Sequence, residues 1–224
     1  MDAAQRIAQG LGHAFRDADL LREALTHRSA GSWNNERLEF LGDALLNSII
    51  AIELFARQPR APEGELSRLR AALVRGETLA GIARELDIGS GLVLGEGERK
   101  SGGHRRDSIL ADTLEALIGA IFLDSDFETT RALVLGLFAG RLADLPSAES
   151  LKDPKTRLQE YLQQRRYDPP DYSVIEVAGA DHAQRFTVRC RIEALACERR
   201  ATATSRRKAE QQAAQACLES LQGQ

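Results

Sequence analysis

Apolar and polar positions divide this chain into two regimes. Across residues 2–142 the apolar residues recur three and four apart, the spacing that turns one face of a helix inward. One such run extends from about Asn35 to Arg57, with Pro59 and Pro62 beyond it. At 1.5 Å per residue it is roughly 34 Å long, enough to form the spine of a domain. A second strongly apolar run covers Asp107 to Leu123, with Ile109, Leu110, Leu114, Leu117, Ile118 and Ile121 inward. Shorter amphipathic stretches fall at Leu20–Arg28, opened by Asp17 or Asp19, and at 63–74 and 77–86. Asp126 opens a last helix to about Leu142, with Leu133, Val134, Leu137 and Phe138 on its buried face. Between them, 88–103 is rich in glycine and reads as a loop.

After Leu142 the period changes. Residues 142–152 hold Pro146 and no regular pattern, which marks a linker. Lys155 to Arg165 reads as a helix with Leu158 and Leu162 inward, stopped by Pro169 and Pro170. Tyr172–Val177, Arg185–Ile192 and about Ala196–Thr202 alternate as strands do, with a turn at Gly179–His182 between the first two. A helix from near Ser205 then buries Ala209, Ala213, Ala216, Cys217 and Leu221. The expected organisation is two domains: an all-α domain over 1–144, a linker over 145–153, and a small α-β-β-β-α domain over 154–224.

The candidate chemistry lies in what interrupts the apolar stripes. Glu36, Glu39 and Asp43 stand at i, i+3 and i+7, and Asp112 and Glu115 at i, i+3. Acids in a first helical turn also favour the macrodipole, and Asn34 or Asn35 is an ordinary N-cap, so Glu36 and Glu39 alone decide little. Asp43 is harder to explain that way. It is a poor helix former and follows Gly42, which costs about 1 kcal/mol relative to Ala in mid-helix. Two buried helices, each with an acid pair, suggest one site where they cross. Crowded carboxylates need raised pKa values or a cation. With no Cys or second His nearby, the donor set suits Mg²⁺ or Mn²⁺, ions that serve phosphoryl chemistry. His27 reads either as a structural histidine or as a ligand. The cations Arg99, Lys100, His104, Arg105 and Arg106 read equally as a basic rim guiding a phosphate backbone or as a solvated turn.

Charge sharpens the division. From Leu151 onward 13 Lys and Arg face 10 Asp and Glu, a net +3, against a net −3 for the whole chain. A basic second part beside an acidic first part fits polyanion binding next to metal chemistry. Arg206, Arg207 and Lys208 at a helix start oppose its dipole, which makes sense if they meet an anion. No apolar run reaches a membrane span, and the first residues lack a signal-peptide pattern, so a cytoplasmic location is expected. Cys190, Cys197 and Cys217 lack paired spacing and read as reduced thiols.

NERLEFLGD at 35–43 with DSILADTLEALIGAIFLD at 107–124 resembles the ribonuclease III family, and the second part resembles a double-stranded-RNA-binding domain. The resemblance covers nearly the whole chain. It implies a homodimeric, Mg²⁺-dependent endonuclease, with Mn²⁺ able to substitute, that hydrolyses both strands of duplex RNA. It implies 5′-phosphate and 3′-hydroxyl ends with short 3′ overhangs, and processing of ribosomal RNA precursors and other structured transcripts. Residue by residue, it assigns Glu39, Asp112 and Glu115 as metal ligands and Asp43 and Glu115 as the catalytic pair, with Glu36 in support. Phe40 falls at a position that enters the partner subunit. Gln159, Gln163, His182, Ser205, Arg206, Arg207 and Lys208 fall at RNA-contacting positions. The chain departs from the family at Ala201–Ser205, where glycines usually precede the last helix. Two other classes fit parts of the pattern: a duplex-RNA-binding regulator that does not cut, and a small-molecule phosphohydrolase with a tethered basic domain. The complete acid set disfavours the first, and the basic domain the second.

Overall fold

Two glycines set how the long helices meet. The computed structural model describes residues 2–147, 150–180 and 183–222, in two compact units, Met1–Pro146 and Ser147–Gln224. The first contains helices α1 (Ala3–Leu11), α2 (Ala18–Ala24), α3 (Glu36–Arg57), α4 (Glu63–Val74), α5 (Gly76–Glu85), α6 (Glu96–Lys100), α7 (Asp107–Asp124), α8 (Phe127–Leu137) and α9 (Ala139–Ala143). The most extensive helix packing in this unit is α3 on α7. Gly42 of α3 faces the backbone carbonyl of Glu115, and Gly119 of α7 faces that of Leu38. A Cβ at either position would overlap a carbonyl oxygen. The cost of Gly42 in mid-helix is thus offset by backbone-to-backbone contact, which brings the acid-bearing turns of α3 and α7 together.

Gly42→Ala is expected to destabilise this unit by about 3 kcal/mol despite better helix propensity, because a carbonyl of a packed helix has nowhere to move. Its urea midpoint measures this. An unchanged midpoint would mean that the close crossing does not matter.

All six apolar positions expected inward on α7 are buried, and so are Leu38 and Leu46 of α3. At its far end α7 is tied down by Asp124, which accepts from the backbone N–H of Arg16 (3.0 Å) and Asp17 (2.9 Å) and pairs with His13 (2.8 Å). Burial by itself would raise the Asp124 pKa. These donors outweigh it and hold the carboxyl below its usual range.

Two expectations need correction. The glycine-rich stretch 88–103 is not one loop: it contains a 3₁₀ turn at Ile88–Gly91 and helix α6. Glu96 and Lys100 pair across one turn of α6 at 2.6 Å. Gly95 is there for packing, since a Cβ would strike the Ser29 carbonyl. The last predicted helix breaks at Phe138, which is fully buried between α8 and α9, while Leu133 and Leu137 are only half-buried.

The second unit is α10 (Pro154–Gln164), the antiparallel strands β1 (Asp171–Ala178), β2 (Arg185–Ile192) and β3 (Cys197–Ala203) in the order β1-β2-β3, and α11 (Arg206–Gln222). Leu158 and Leu162 of α10 meet Cys190, Ile192, Cys197, Ala213, Cys217 and Leu218 in one core, with all three thiols free. Helix α10 ends before the prolines, through Arg166 in the left-handed region (φ 61°) and a bond from the Tyr167 N–H to the Leu162 carbonyl (3.0 Å). The buried face of α11 is Ala209, Glu210, Ala213, Ala214, Cys217 and Leu218. It is rotated from the expected one, so Ala216 and Leu221 are only half-buried.

Candidate active site and RNA-facing surface

Helix α3 contributes Glu39 and helix α7 contributes Asp112 and Glu115. Among the described residues these three form a group able to share a cation, with one ligand oxygen from each lying within 4.8 Å of the others. Burial, reinforced by Asp43, Asp112 and Glu39, pushes the Glu115 carboxyl up to about 8. Glu39 is raised first by burial and then by Asp112, Glu36 and Asp43, with Arg28 opposing. Burial also raises Asp112, against the pull of His27 and Arg28. Negative charge compressed this way, with all-oxygen donors, fits a hard divalent cation, and the residues that would hold it are Glu39, Asp112 and Glu115.

Asp43 lies outside that trio. It is exposed, accepts from the Asn47 amide at 2.8 Å, and acts on Glu39 and Glu115 through its charge. Glu36 is also outside, beside Arg28 at 3.5 Å. A cleft of about 430 Å³ opens next to Glu39 and Asp112, bordered by His27, Arg28 and Arg106. Of the expected basic rim, only Arg106 reaches it. His104 and Arg105 border a different cavity, and Lys100 is held by Glu96. His27 and Arg28 precede α3 by only a few residues. What the sequence hid is that their loop folds toward Asp112 on the distant α7.

Phe40 is 79% exposed on α3. Phe55 and Ile52 of the same helix are also exposed, as is Leu123 of α7. Sequence reasoning missed these three because apolar residues on a predicted helix read as core.

In the second unit, Gln159 and Gln163 are exposed and border one shallow groove with Arg166, Tyr167 and Pro169. His182 lies outside the described residues. Ser205 caps α11, its hydroxyl oxygen accepting from the Lys208 N–H at 3.3 Å. Arg207 and Lys208 are exposed. Arg206 does not stand against the helix dipole alone: it donates to Glu210 at 2.8 Å, and Lys155 donates to the same carboxylate at 2.7 Å. Lys155 and Arg206 hold Glu210 below its usual range, although burial opposes them.

Residues 17–142 match a family model described as ribonuclease-III-like, and residues 154–221 match the double-stranded RNA binding motif. Ribonuclease 3 of Vibrio cholerae is 54% identical over 96% of this chain and 96% of its own length. The crystal structure of the ribonuclease III nuclease domain from Campylobacter jejuni is 41% identical with a TM-score of 0.62, over 65% of this chain and 100% of that one. A second structure of that domain, concerned with flexibility in its region of dimer formation, is 42% identical with a TM-score of 0.61, over 62% of this chain and 99% of that one. The crossed acidic helices followed by a helix-flanked three-stranded sheet therefore belong to a member of the ribonuclease III family, the double-strand-specific endoribonucleases.

Proposed function

We propose that Glu39, Asp112 and Glu115 hold Mg²⁺, or Mn²⁺ in its place, and that Asp43 and Glu115 form the catalytic pair for cutting both strands of duplex RNA. The convergence of three partly buried carboxylates at a backbone-close helix crossing supports this most directly. When bound, the cation supplies charge neutralisation at the phosphodiester and lowers the pKa of water. Glu115 must give up its proton to serve as a ligand, and Asp43, held by Asn47, remains an exposed acceptor for a proton from the attacking water. No side chain in the cluster suits covalent attack, so water attacks the phosphorus directly; membership of the ribonuclease III family is what points to products with 5′-phosphate and 3′-hydroxyl ends and short 3′ overhangs. Labelled duplex incubated with Mg²⁺ should yield such ends. The single strand, or duplex with EDTA, should stay intact. Equal cutting of single strands would overturn the proposal.

Two copies pairing through Phe40 would place one acid cluster against each strand, and the exposed Phe55 and Ile52 support a shared face. Phe40→Ala is expected to weaken the dimer at least tenfold by sedimentation, because a buried aromatic anchor is removed. Unchanged self-association would rule out that contact.

For binding, A-form RNA offers a wide minor groove with 2′-hydroxyls and phosphates across the major groove. Gln159, Gln163 and His182 suit the first. Ser205, Arg207 and Lys208 suit the second, with Arg206 held nearby by Glu210. Replacing Arg207 and Lys208 by Ala should lower the salt slope of binding by about two. A slope equal to the parent's would remove them from the phosphate contacts. Among the described residues no helix is long and apolar enough to cross a membrane. We place the enzyme in the cytoplasm, acting on ribosomal RNA precursors and other structured transcripts.

A further inference from the structure

The cleft beside the acid cluster has a wall that the cutting reaction leaves unused. That wall is formed by His27, Arg28 and Ser29, and several bonds fix the segment from Thr26 onward. Thr26 bridges to Val93, and the His27 N–H donates to the Val93 carbonyl at 3.0 Å. The Asn35 N–H donates to the Thr26 carbonyl at 2.9 Å, and the buried Asn35 side chain donates to Ala24 at 3.3 Å. The Ser29 hydroxyl oxygen accepts from the Gly95 N–H at 3.0 Å.

This frame decides the tautomer of His27. Its Nδ1 accepts from the Ser29 backbone N–H at 3.2 Å and lies 2.8 Å from the Ser29 hydroxyl, which is free to donate to it as well. A backbone amide can only donate, so Nδ1 carries no proton and the proton sits on Nε2, leaving that nitrogen a donor. Arg28 is 3.5 Å from Glu36, and both side chains are mostly solvated, which makes the pair weak and exchangeable. Arg106, on the same cleft, is 2.8 Å from Glu98. His27 and Arg28 already pull on Asp112, so their charge and dipole reach the cluster.

An RNA strand that places one phosphate at Glu39, Asp112 and Glu115 must place the next one close by. Carboxylates such as Glu36 would repel it unless cations stood there too. We propose that Arg28, with the Nε2–H of His27 and with Arg106, holds the phosphate adjacent to the one that is cut. This subsite rests on the nuclease reading above. It fixes the register of the strand in the site, since phosphate contacts position and carry no sequence information.

The test couples protein to substrate. A series of duplexes carries one neutral methylphosphonate at successive linkages around the cut, and each is cleaved in single turnover with Mg²⁺ by parent, Arg28→Ala and Arg28→Lys. For the parent, one linkage next to the cut should slow cleavage about tenfold when neutralised, the loss of a charge-assisted hydrogen bond. Arg28→Ala should be about tenfold slower on natural duplex and insensitive, within twofold, at that same linkage. Arg28→Lys should keep most of the sensitivity. A merely structural role would slow every duplex alike. The proposal is overturned if Arg28→Ala cuts natural duplex at the parental rate, or if the two losses multiply at every linkage. A parent that does not cut natural duplex at all would overturn the nuclease reading and this subsite together. Normal cutting without coupling would overturn the subsite alone.

Discussion

Glu115→Gln and Asp43→Asn are each expected to lower single-turnover cleavage of duplex RNA by about a thousandfold or more, while the dissociation constant for duplex stays within about threefold. The separation follows from where each residue sits. Glu115 belongs to the trio of oxygens within 4.8 Å, so an amide there removes a negative donor from the proposed cation site. Asp43 stands outside the trio as an exposed acceptor, so an amide there spares the trio but removes the proposed base. Affinity for the duplex is proposed to come from phosphate and minor-groove contacts elsewhere, chiefly in the second unit, which neither substitution touches. Filter binding in Ca²⁺ and cleavage in Mg²⁺ on the same preparations read the two quantities separately. Parental cutting by either variant would remove that residue from the chemistry. Lost binding would mean that the acids serve the grip as well as the cut.

The second large effect concerns stability, and its sign is unusual for a carboxylate. The folded-state pKa of Glu115 is raised to about 8 from an ordinary 4.5. Between those values the folded chain keeps a proton that the unfolded chain has released. The stability this group contributes is therefore fully present below about 4.5 and is lost as pH rises through 8. Glu39 and Asp112 are shifted in the same direction. In EDTA at pH 8.5, Glu115→Gln should be more stable than the parent by about 2 kcal/mol, well under the full linkage value because the site is partly solvated. At pH 4.5 the difference should vanish. Millimolar Mg²⁺ at pH 8.5 should stabilise the parent and leave the variant unmoved. Urea midpoints at the two pH values decide it: a variant no more stable than the parent at pH 8.5 in EDTA would mean that the cluster is not strained by its own charge. If the variant is the more stable one at pH 8.5, a carboxylate proposed to serve cleavage is also one whose charge the fold accommodates poorly.

Much of the fold and of the acid cluster is legible in the sequence. The acidic helices stood out because helical periodicity is sustained over their whole length, and a tertiary contact has little freedom to override it. Gly42 announced itself as a local conflict, a poor helix former in mid-helix, and the conflict proved to be the close crossing that brings the acid-bearing turns together. Other features were hidden for physical reasons. Gly95 looks like loop flexibility in a glycine-rich stretch, yet it is needed for contact with Ser29, sixty-six residues earlier. Arg206 looked unpaired against its helix dipole, although Glu210 one turn on is an ordinary i, i+4 partner that the sequence displayed. His27 and Arg28 carry no periodicity, so nothing local showed that their loop would face Asp112.

The central claim is that side chains from α3 and α7 share a divalent cation. Its most direct measurement is an anomalous difference map from crystals soaked in Mn²⁺ at pH 8. The account predicts a peak bonded to oxygens of Glu39, Asp112 and Glu115 in the parent, absent in crystals of Glu115→Gln. A parent that cuts duplex RNA in the same Mn²⁺ buffer, yet shows no peak among those three carboxylates, would contradict it.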